Sequence, residues 1–218
     1  MNILSLSGGK DSVASYFLCR HEIDCIIYVD SGVDFPSIKK TALMIGSDFA
    51  SRGGRFEILS FDFFSGLCRY GWPSNRCRWC TSRKVSSIKA FKRSLGCDVV
   101  SYVGIAFDEQ HRCKPGVEYP LVKAGMTEKQ ALHFCYSQGV DFGGVYDYFD
   151  RSGCFCCPLG GKRHFRRLFQ YDHRLFQYVG VLNEYAALSS HPRLSSRFSF
   201  EEIRDLCESQ LSFYRLCP

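Results

Sequence analysis

This sequence predicts an α/β protein with a parallel twisted sheet, helices on both faces and a helical C-terminal part. Short apolar runs of strand length alternate with segments whose apolar residues recur at helical spacing, which is typical of parallel sheets. The first apolar run also ends in a glycine turn that leads directly into a helical pattern. At 218 residues the chain is long enough for one α/β domain with a large core.

Strands are expected at residues 3–6, 25–29, 56–61 and 98–107. Helices are expected from residue 13, at residues 37–51 and 82–95, and after the N-cap Thr127 as far as residue 137. Two further helical patterns occupy residues 175–188 and 200–214, the second capped by Ser199 with Glu202 three residues on. We expect one α/β domain at residues 1–150, and at residues 151–218 a cysteine-containing loop and a helical region packed on that domain.

Six residues join the first strand to the first helix and have the composition of an anion site. Backbone N–H groups at the start of a helix lack intrahelical acceptors, and the helix dipole adds partial positive charge, so phosphate is the natural ligand there. Glycines let the backbone approach a ligand closely, while a lysine and serine hydroxyls add donors. The six residues are Ser7, Gly8, Gly9, Lys10, Asp11 and Ser12. The alternative is an ordinary strand-to-helix turn capped by Asp11 or Ser12.

The second strand runs into polar turn residues. Asp30, Ser31 and Gly32 follow the apolar run at residues 25–29. Residues that follow a strand of an open α/β sheet lie at its carboxyl edge, where such sheets bind ligands. These three residues are therefore candidate contacts of a ligand bound at that edge of the sheet.

Thirteen cysteines favour metal or redox chemistry over a disulfide framework, because the cytosol keeps thiols reduced. Two C-x-x-C pairs, Cys77 with Cys80 and Cys154 with Cys157, can supply four thiolates to one zinc ion or one 4Fe-4S cluster. Spacing alone does not separate these metals, and the alternative is that the cysteines are buried thiols. Packing as small apolar groups is expected for another set, namely Cys19, Cys25, Cys97 and Cys207.

Positive charge is concentrated in one basic segment, residues 63–97. It contains eight Arg and Lys residues and no Asp or Glu, whereas the whole chain has a net charge of +6. An anionic partner is implied, either a nucleotide alone or a nucleic acid as well. A solvated helix face is the alternative for Lys89, Lys92 and Arg93. Because glycine and charge interrupt the first apolar stretch and no run reaches membrane length, neither a signal peptide nor a membrane association is predicted, and the expected location is cytoplasmic.

The loop at residues 7–12 resembles the SGGKDS pyrophosphate loop of the adenine-nucleotide α-hydrolase superfamily. That superfamily includes ATP pyrophosphatases, tRNA thiolation enzymes and phosphoadenosine phosphosulfate reductases. Later blocks resemble phosphoadenosine phosphosulfate reductase-like proteins, many of them from phages and mobile elements. These blocks are the Asp30-Ser31-Gly32 turn, Cys80-Thr81 with Lys84, Gly104 to Arg112, Tyr119-Pro120-Leu121-Val122 with Gly125-Met126, and Cys154 to Pro158. The resemblance extends from Asn2 to Leu188.

The resemblance implies a Rossmann-like fold that binds ATP or an adenylyl-sulfate at the loop. In that picture Asp30, Ser31 and Gly32 border the nucleoside, Gly104 is a further nucleotide contact, and Arg112 adds a bidentate anion contact. It also favours a 4Fe-4S cluster over zinc. Some relatives have a cysteine where this chain has Ala131, so Cys77 is the expected fourth ligand, with Cys135 and Cys156 in reserve. The E-C-G-L-H element that carries the catalytic cysteine of sulfonucleotide reductases is absent, and Cys217 lacks those neighbours.

The leading functional expectation is an enzyme of sulfur or adenylyl transfer in which Lys10 neutralises charge that develops on the phosphates. Asp11 is a candidate ligand of Mg²⁺ if ATP is cleaved. A reductase would use Cys217 as nucleophile and a small thiol protein as electron donor. A pyrophosphatase would instead adenylate a nucleic acid held by the basic segment and then introduce sulfur from a donor protein. The alternative to an enzyme is a non-catalytic, metal-stabilised module that binds nucleic acid.

Overall fold

The computed structural model describes residues 1–216, with side chains described from residue 1 to residue 209. These residues form two compact units. The first unit contains Met1–Phe61 and Lys84–Tyr146, and the second contains Asp62–Arg83 together with the residues from Asp147 onward. Residues 63–83 of the basic segment therefore belong to the second unit, and the predicted boundary near residue 150 remains a prediction.

The first unit contains a five-stranded sheet in which all neighbouring strands are parallel, as predicted. The strands lie in the spatial order β3-β2-β1-β4-β5. Their bounds are β1 Asn2–Ser5, β2 Cys25–Asp30, β3 Arg55–Ser60, β4 Val100–Val103 and β5 Val117–Glu118. The chain moves from β1 outward to β3 and then returns to the other side of β1, so the direction of winding reverses between β1 and β4.

The inner strands are apolar on both faces, as buried parallel strands require. One face carries a cluster of Ile3, Cys25, Ile27 and Val29, against which Ile88, Phe91 and Leu95 pack. Because side chains alternate along a strand, Leu4, Ile26 and Tyr28 point to the opposite face, where they are also buried. Both faces are therefore covered, and this α/β architecture is flanked by helices as expected.

The helices are α1 Lys10–Cys19, α2 Pro36–Ser51, α3 Phe63–Tyr70, α4 Trp79–Ser94, α5 Pro120–Lys123, α6 Glu128–Ser137, α7 Val145–Tyr148, α8 Gly161–Tyr171, α9 His173–Ala186 and α10 Phe200–Leu216. Helix α2 has Pro36 at its first turn and buries Ile38, Ala42, Ile45 and Phe49 at helical spacing, as predicted. The predicted N-caps of α6 and α10 are confirmed: Thr127 forms a capping box with Gln130, and Ser199 Oγ accepts the amide of Glu202 at 3.2 Å. None of the helices in residues 1–216 combines the length and apolar character needed to cross a membrane.

The second unit is helical where the structure describes it. Trp79 is 7% exposed, its ring centroid lies 5.2 Å from that of Phe63, and its indole N–H donates to the carbonyl of Gly71 at 3.0 Å. A buried indole needs such an acceptor, so this contact fixes the start of α4. Helices α3 and α9 pack together, with Phe64 against Tyr185, and α8 packs on α9.

Two local predictions were wrong in detail, and one helix was not predicted. The strand predicted at residues 98–107 is limited to β4, and a 3-10 helix follows at Phe107–Arg112. Helix α3 has no counterpart among the predicted helices. Cys97, predicted to be a core residue, is exposed in the turn after α4, whereas Cys19, Cys25 and Cys207 are buried as predicted.

Candidate functional site

The loop at residues 7–12 lies where the direction of strand winding reverses. Residues 6–9 follow β1, and Gly104 follows the neighbouring strand β4. In open α/β sheets the loops at such a reversal separate and leave a crevice outside the carboxyl ends of the strands, which is where ligands bind. The candidate site is therefore formed by the loops after β1, β2 and β4.

Gly8 shapes the loop because both its conformation and its surroundings exclude a side chain. Its φ is +81°, and a Cβ placed on it would approach the carbonyl oxygen of Ile38 at 2.3 Å. Ala42 Cβ would lie only 3.1 Å away. The loop therefore rests directly on the first turns of α2, and a glycine is required here.

Serine and tyrosine hydroxyls accept hydrogen bonds from some of the loop's backbone amides. The amide of Ser7 donates to Ser12 Oγ at 3.1 Å, and the amide of Gly9 donates to Ser7 Oγ at 3.4 Å. The amide of Lys10 donates to the hydroxyl of Tyr146 at 2.7 Å. Within residues 1–216, the amides of Gly8, Asp11 and Ser12 have no acceptor. The start of α1 therefore retains unpaired donors of the kind that bind anions.

Lys10 is held by two carboxylates. Its Nζ lies 2.9 Å and 3.0 Å from the oxygens of Asp11 and 3.0 Å from Glu128 Oε2, and its side chain is only 9% exposed. Glu128 is the first residue of α6, which Thr127 caps, so a rigid helix end positions this carboxylate. The sequence prediction placed Lys10 in the site but gave no sign of its partner from α6.

Burial raises the pKa of the Asp11 carboxyl, and the adjacent Lys10 ammonium offsets part of that increase. The nearby carboxylates of Glu128 and Glu109 also raise the pKa of Asp11. Cys135, a predicted reserve metal ligand, is buried beneath this loop, and its thiol donates to the carbonyl of Lys10 at 3.4 Å. Burial raises the pKa of Cys135 to about 12, so its present role is that of a packed thiol.

The loop after β2 is internally braced. Asp30 Oδ1 accepts the amide of Gly32 at 2.9 Å, and Asp30 Oδ2 pairs with Lys39 Nζ at 2.7 Å. Although burial opposes ionisation, the hydrogen bonds from Lys39 and Gly32 lower the pKa of Asp30. Gly32 has a φ of +74° and an exposed surface, which suits the tip of the turn.

Two serine hydroxyls near this turn are buried without a partner. Ser31 is 4% exposed, and its Oγ has no hydrogen bond within the described residues. Ser37 Oγ, in the first turn of α2, is buried in the same unpaired state. Because buried hydroxyls are normally hydrogen-bonded, each such atom calls for an explanation, and a bound ligand is one. Ser31 was predicted as a site residue; Ser37 was not.

Asp34 organises the same loop and was missed as a site residue. Its carboxylate accepts the Tyr28 hydroxyl and the Lys84 ammonium, both at 3.1 Å, and the Ser31 amide at 3.3 Å. Its side chain is only 6% exposed. Burial, together with this carboxylate, raises the pKa of Tyr28. Lys84, one of the residues that carry the family resemblance, thus braces the turn that presents Ser31.

Gly104 and Arg112 lie in the loop after β4. A Cβ on Gly104 would approach the backbone of Asp11 and Ser12 at 2.6 Å, so Gly104 contacts the start of α1 directly. Arg112, predicted as a bidentate anion contact, pairs with Glu109, and its side chain is 53% exposed. The first unit therefore brings the predicted residues of all three loops to one edge of its sheet.

The predicted metal ligands Cys77, Cys80, Cys154 and Cys157 all belong to the second unit. The amide of Cys157 donates to the carbonyl of Cys154 at 3.2 Å, and the hydrogen bond that the Cys157 thiol makes with the Cys154 side chain, followed by burial, raises the pKa of Cys157. This pair therefore has the proximity that a metal site needs. Cys77 is exposed, Cys80 is half-buried and Cys156 is buried. No group of three or more His, Cys, Asp or Glu close enough to hold a metal occurs in the part of the chain that the structure describes.

Two further predictions concern the second unit and the end of the chain. Four arginines of the basic segment are exposed in the second unit, namely Arg69, Arg76, Arg78 and Arg83. By contrast, Lys84 pairs with Asp34, and Lys92 Nζ donates to Ser101 Oγ at 2.6 Å, so part of the predicted charge is used internally. Cys217, the predicted nucleophile, lies outside the described residues.

Comparison with known proteins finds distant relatives. The chain is 26% identical over 210 residues to an uncharacterized protein of Methanocaldococcus jannaschii, in an alignment that covers 84% of this chain and 42% of that protein. Another uncharacterized protein of the same organism is 27% identical over 205 residues, which cover 83% of this chain and 47% of the relative. The chain thus spans less than half the length of these curated relatives. No family model matches the chain.

Proposed function

We propose that the first unit binds an adenine nucleotide, with its phosphates at residues 7–12, and that the protein is an enzyme of sulfur or adenylyl transfer of the phosphoadenosine phosphosulfate reductase-like family. One observation carries this proposal. Within the part of the chain that the structure describes, the amides of Gly8, Asp11 and Ser12 are unpaired at the start of α1, at the point where the winding of the sheet reverses.

The unpaired hydroxyls support a nucleoside beside the phosphates. A ribose offers hydroxyls and an adenine offers ring nitrogens and an amine, and each of these can complete the hydrogen bonding of Ser31 and Ser37. Asp34 and Lys84 would hold the turn in place without contacting the ligand themselves. Binding would then replace two unsatisfied buried groups with satisfied ones.

In adenylyl chemistry the residues of the loop would act through charge and orientation. The free amides would hold oxygens of the phosphate chain, and Lys10, once its ion pairs rearrange, would stabilise charge that develops on the leaving group. Mg²⁺ fits the oxygen-rich surroundings of Asp11 and would neutralise the same charge. Arg112 would need to leave Glu109 to contact the nucleotide.

We also propose that cysteines of the second unit hold a 4Fe-4S cluster or a zinc ion. The contact between Cys154 and Cys157 supports half of such a site, and Cys77 and Cys80 belong to the same unit. When bound, a cluster would supply redox or sulfur-handling chemistry, and a zinc ion would stabilise the fold. The role of Cys217 as nucleophile, with a small thiol protein as reductant, belongs to the reductase form of this proposal.

The second candidate is an ATP pyrophosphatase-type enzyme that modifies nucleic acid, or a binding module without catalysis. The exposed arginines at positions 69, 76, 78 and 83 favour contact with a polyanion. Binding to generic DNA or RNA that weakens steeply with salt, without nucleotide turnover, would support the module.

The proposal is tested by isothermal titration of the protein with ATP and with an adenylyl-sulfate, followed by product analysis. We expect at least one of the two to bind at a single site. Release of pyrophosphate from ATP would identify the pyrophosphatase chemistry, and release of sulfite from the adenylyl-sulfate would identify the reductase. Failure of both compounds to bind would contradict the proposal.

A further inference from the structure

The loop lysine carries no surplus positive charge. Lys10 Nζ contacts Asp11 at 2.9 Å and Glu128 at 3.0 Å, so one ammonium faces two carboxylates. With a side chain that is 9% exposed, it has little water around it to weaken these interactions. A phosphate that approaches the start of α1 therefore meets a lysine that is already neutralised.

The surroundings add further negative charge. Asp108 Oδ1 accepts the amide of Glu128 at 3.1 Å, and Glu109 lies close enough to Asp11 to act on it electrostatically. Arg112 pairs with Glu109, so Lys10 and Arg112 belong to a group that also contains the four carboxylates of Asp11, Glu128, Asp108 and Glu109. This group of side chains would repel a metal-free polyphosphate, despite the amides at the start of α1 that can donate to it.

An observation independent of the carboxylates supports a ligand at this edge. Ser31 is 4% exposed, its hydroxyl has no partner within the described residues, and it follows β2, the strand next to β1. What this group of side chains lacks for binding a polyphosphate is positive charge. Mg²⁺ is commonly bound by one or two carboxylates together with the phosphates of a substrate, and not by a dedicated protein cage.

We propose, on the basis of the proposed nucleotide site, that Glu128 is a specificity-determining residue: by sharing Lys10 with Asp11, it makes the loop accept a nucleoside triphosphate as its Mg²⁺ complex and disfavour the metal-free anion. The substrate class that follows is ATP with Mg²⁺ and not an adenylyl-sulfate, since a triphosphate chelates Mg²⁺ through adjacent phosphates. Glu128 acts in this scheme through Lys10 and through the charge of the site.

The test is the affinity of ATP measured by titration calorimetry, at constant ionic strength, with Mg²⁺ and with a chelator. For the unaltered protein we expect Mg²⁺ to tighten ATP binding by about tenfold or more, because it removes repulsion between like charges. Glu128→Gln keeps Asp11 on Lys10 and removes one negative charge. We expect this variant to bind metal-free ATP about tenfold more tightly, so that the ratio between the two conditions falls close to one.

A matched control is Glu57→Gln. Glu57 is 31% exposed and pairs with Arg55 at 2.7 Å, whereas Glu128 is 28% exposed, so both substitutions remove one half-buried, paired carboxylate. The control should keep the Mg²⁺ ratio of the unaltered protein. Glu128→Asp, which retains the charge, should restore most of that ratio.

The experiment distinguishes failure of the role of Glu128, failure of the substrate assignment and failure of the nucleotide site. If ATP binds but Glu128→Gln keeps the original Mg²⁺ ratio, the role assigned to Glu128 is wrong while the nucleotide site stands. If a metal-free adenylyl-sulfate binds the unaltered protein more tightly than ATP with Mg²⁺, the substrate assignment is wrong in the same way. If neither compound binds under either condition, the nucleotide site itself is wrong, and this inference fails with it.

Discussion

Gly104 lies directly against the peptide bond between Asp11 and Ser12. A Cβ on Gly104 would approach the carbonyl carbon of Asp11 and the amide nitrogen of Ser12 at 2.6 Å, closer than van der Waals contact allows. The loop after β4 therefore supports the first turn of α1, while α2 contacts the preceding loop at Gly8. Because backbone atoms form this contact, a side chain at Gly104 can be accommodated only if the loop moves.

The first prediction concerns Gly104→Ala. Since the new methyl group meets backbone and not a flexible side chain, we expect the free energy of unfolding to fall by about 1–3 kcal/mol. Nucleotide affinity should fall as well, because α1 would shift. Chemical denaturation and titration with ATP measure the two effects.

The control for that substitution is Gly153→Ala. A Cβ at Gly153 would have no neighbour within 4 Å, and its φ is not positive. Its unfolding free energy should change by less than about 0.5 kcal/mol. Equal stability of the two alanine variants would contradict the tight packing of Gly104 on the loop.

The second prediction concerns pH and His164. Burial lowers the pKa of His164 below its usual value of 6.5, although the hydrogen bond between Nε2 and the Phe155 carbonyl at 2.7 Å acts in the opposite direction. In the unfolded chain the imidazole takes up a proton at a higher pH than in the folded protein. The stability associated with neutral His164 is therefore present above pH 6.5 and is lost as the pH falls from there through the lower folded value.

Denaturation curves between about pH 8 and about pH 5 measure this loss. His164→Gln keeps an amide donor for the Phe155 carbonyl but does not titrate, so its stability should depend less on pH. His21→Gln removes an exposed histidine and should keep the pH dependence of the unaltered protein. Identical curves for His164→Gln and the unaltered protein would show that His164 is not the group responsible.

The third prediction concerns the cysteines of the second unit. Protein purified without oxygen should contain iron with broad visible absorption, or zinc without it, as metal analysis will report. Cys157→Ser should lose the metal, since Cys157 contacts Cys154 at the turn that precedes α8. Cys97→Ser removes an exposed thiol of the first unit and should retain the metal. Metal content that survives Cys157→Ser, or an unaltered protein without metal, would contradict the proposed site.

The sequence predicted the sheet of the first unit well because its inner strands are continuous apolar runs. Residues 25–29 have no alternation, as expected of a strand buried on both faces, and β2 covers them. The cap at Thr127 was equally clear, because a capping box depends on two residues three positions apart. Local rules were sufficient in both cases.

Contacts between residues distant in sequence were not predictable in the same way. Glu128 meets Lys10 only because α6 packs on α1, and Tyr146 reaches the Lys10 amide from much further along the chain. No spacing rule reports such pairs. Similarly, the sequence indicates only that Asp34 is a turn residue, yet its carboxylate accepts hydrogen bonds from Tyr28, Ser31 and Lys84. Cys97 illustrates the opposite error, since its thiol was expected to pack as a small apolar group but is exposed.

The central claim is that a nucleotide binds at residues 7–12. A comparison of Ser31→Ala with Ser15→Ala tests this claim most directly. Among the described residues, neither serine hydroxyl has a partner although both are buried, but Ser31 lies at the carboxyl edge of the sheet, whereas Ser15 lies within α1. Neither change should lower the stability of the free protein, since no hydrogen bond is lost.

In calorimetric titrations with ATP and Mg²⁺, we expect Ser31→Ala to weaken binding by about fivefold to tenfold, the equivalent of one hydrogen bond, and Ser15→Ala to leave it unchanged. Equal affinities for both variants and the unaltered protein would contradict the nucleoside contact. The absence of binding of both ATP and an adenylyl-sulfate to the unaltered protein would contradict the central claim.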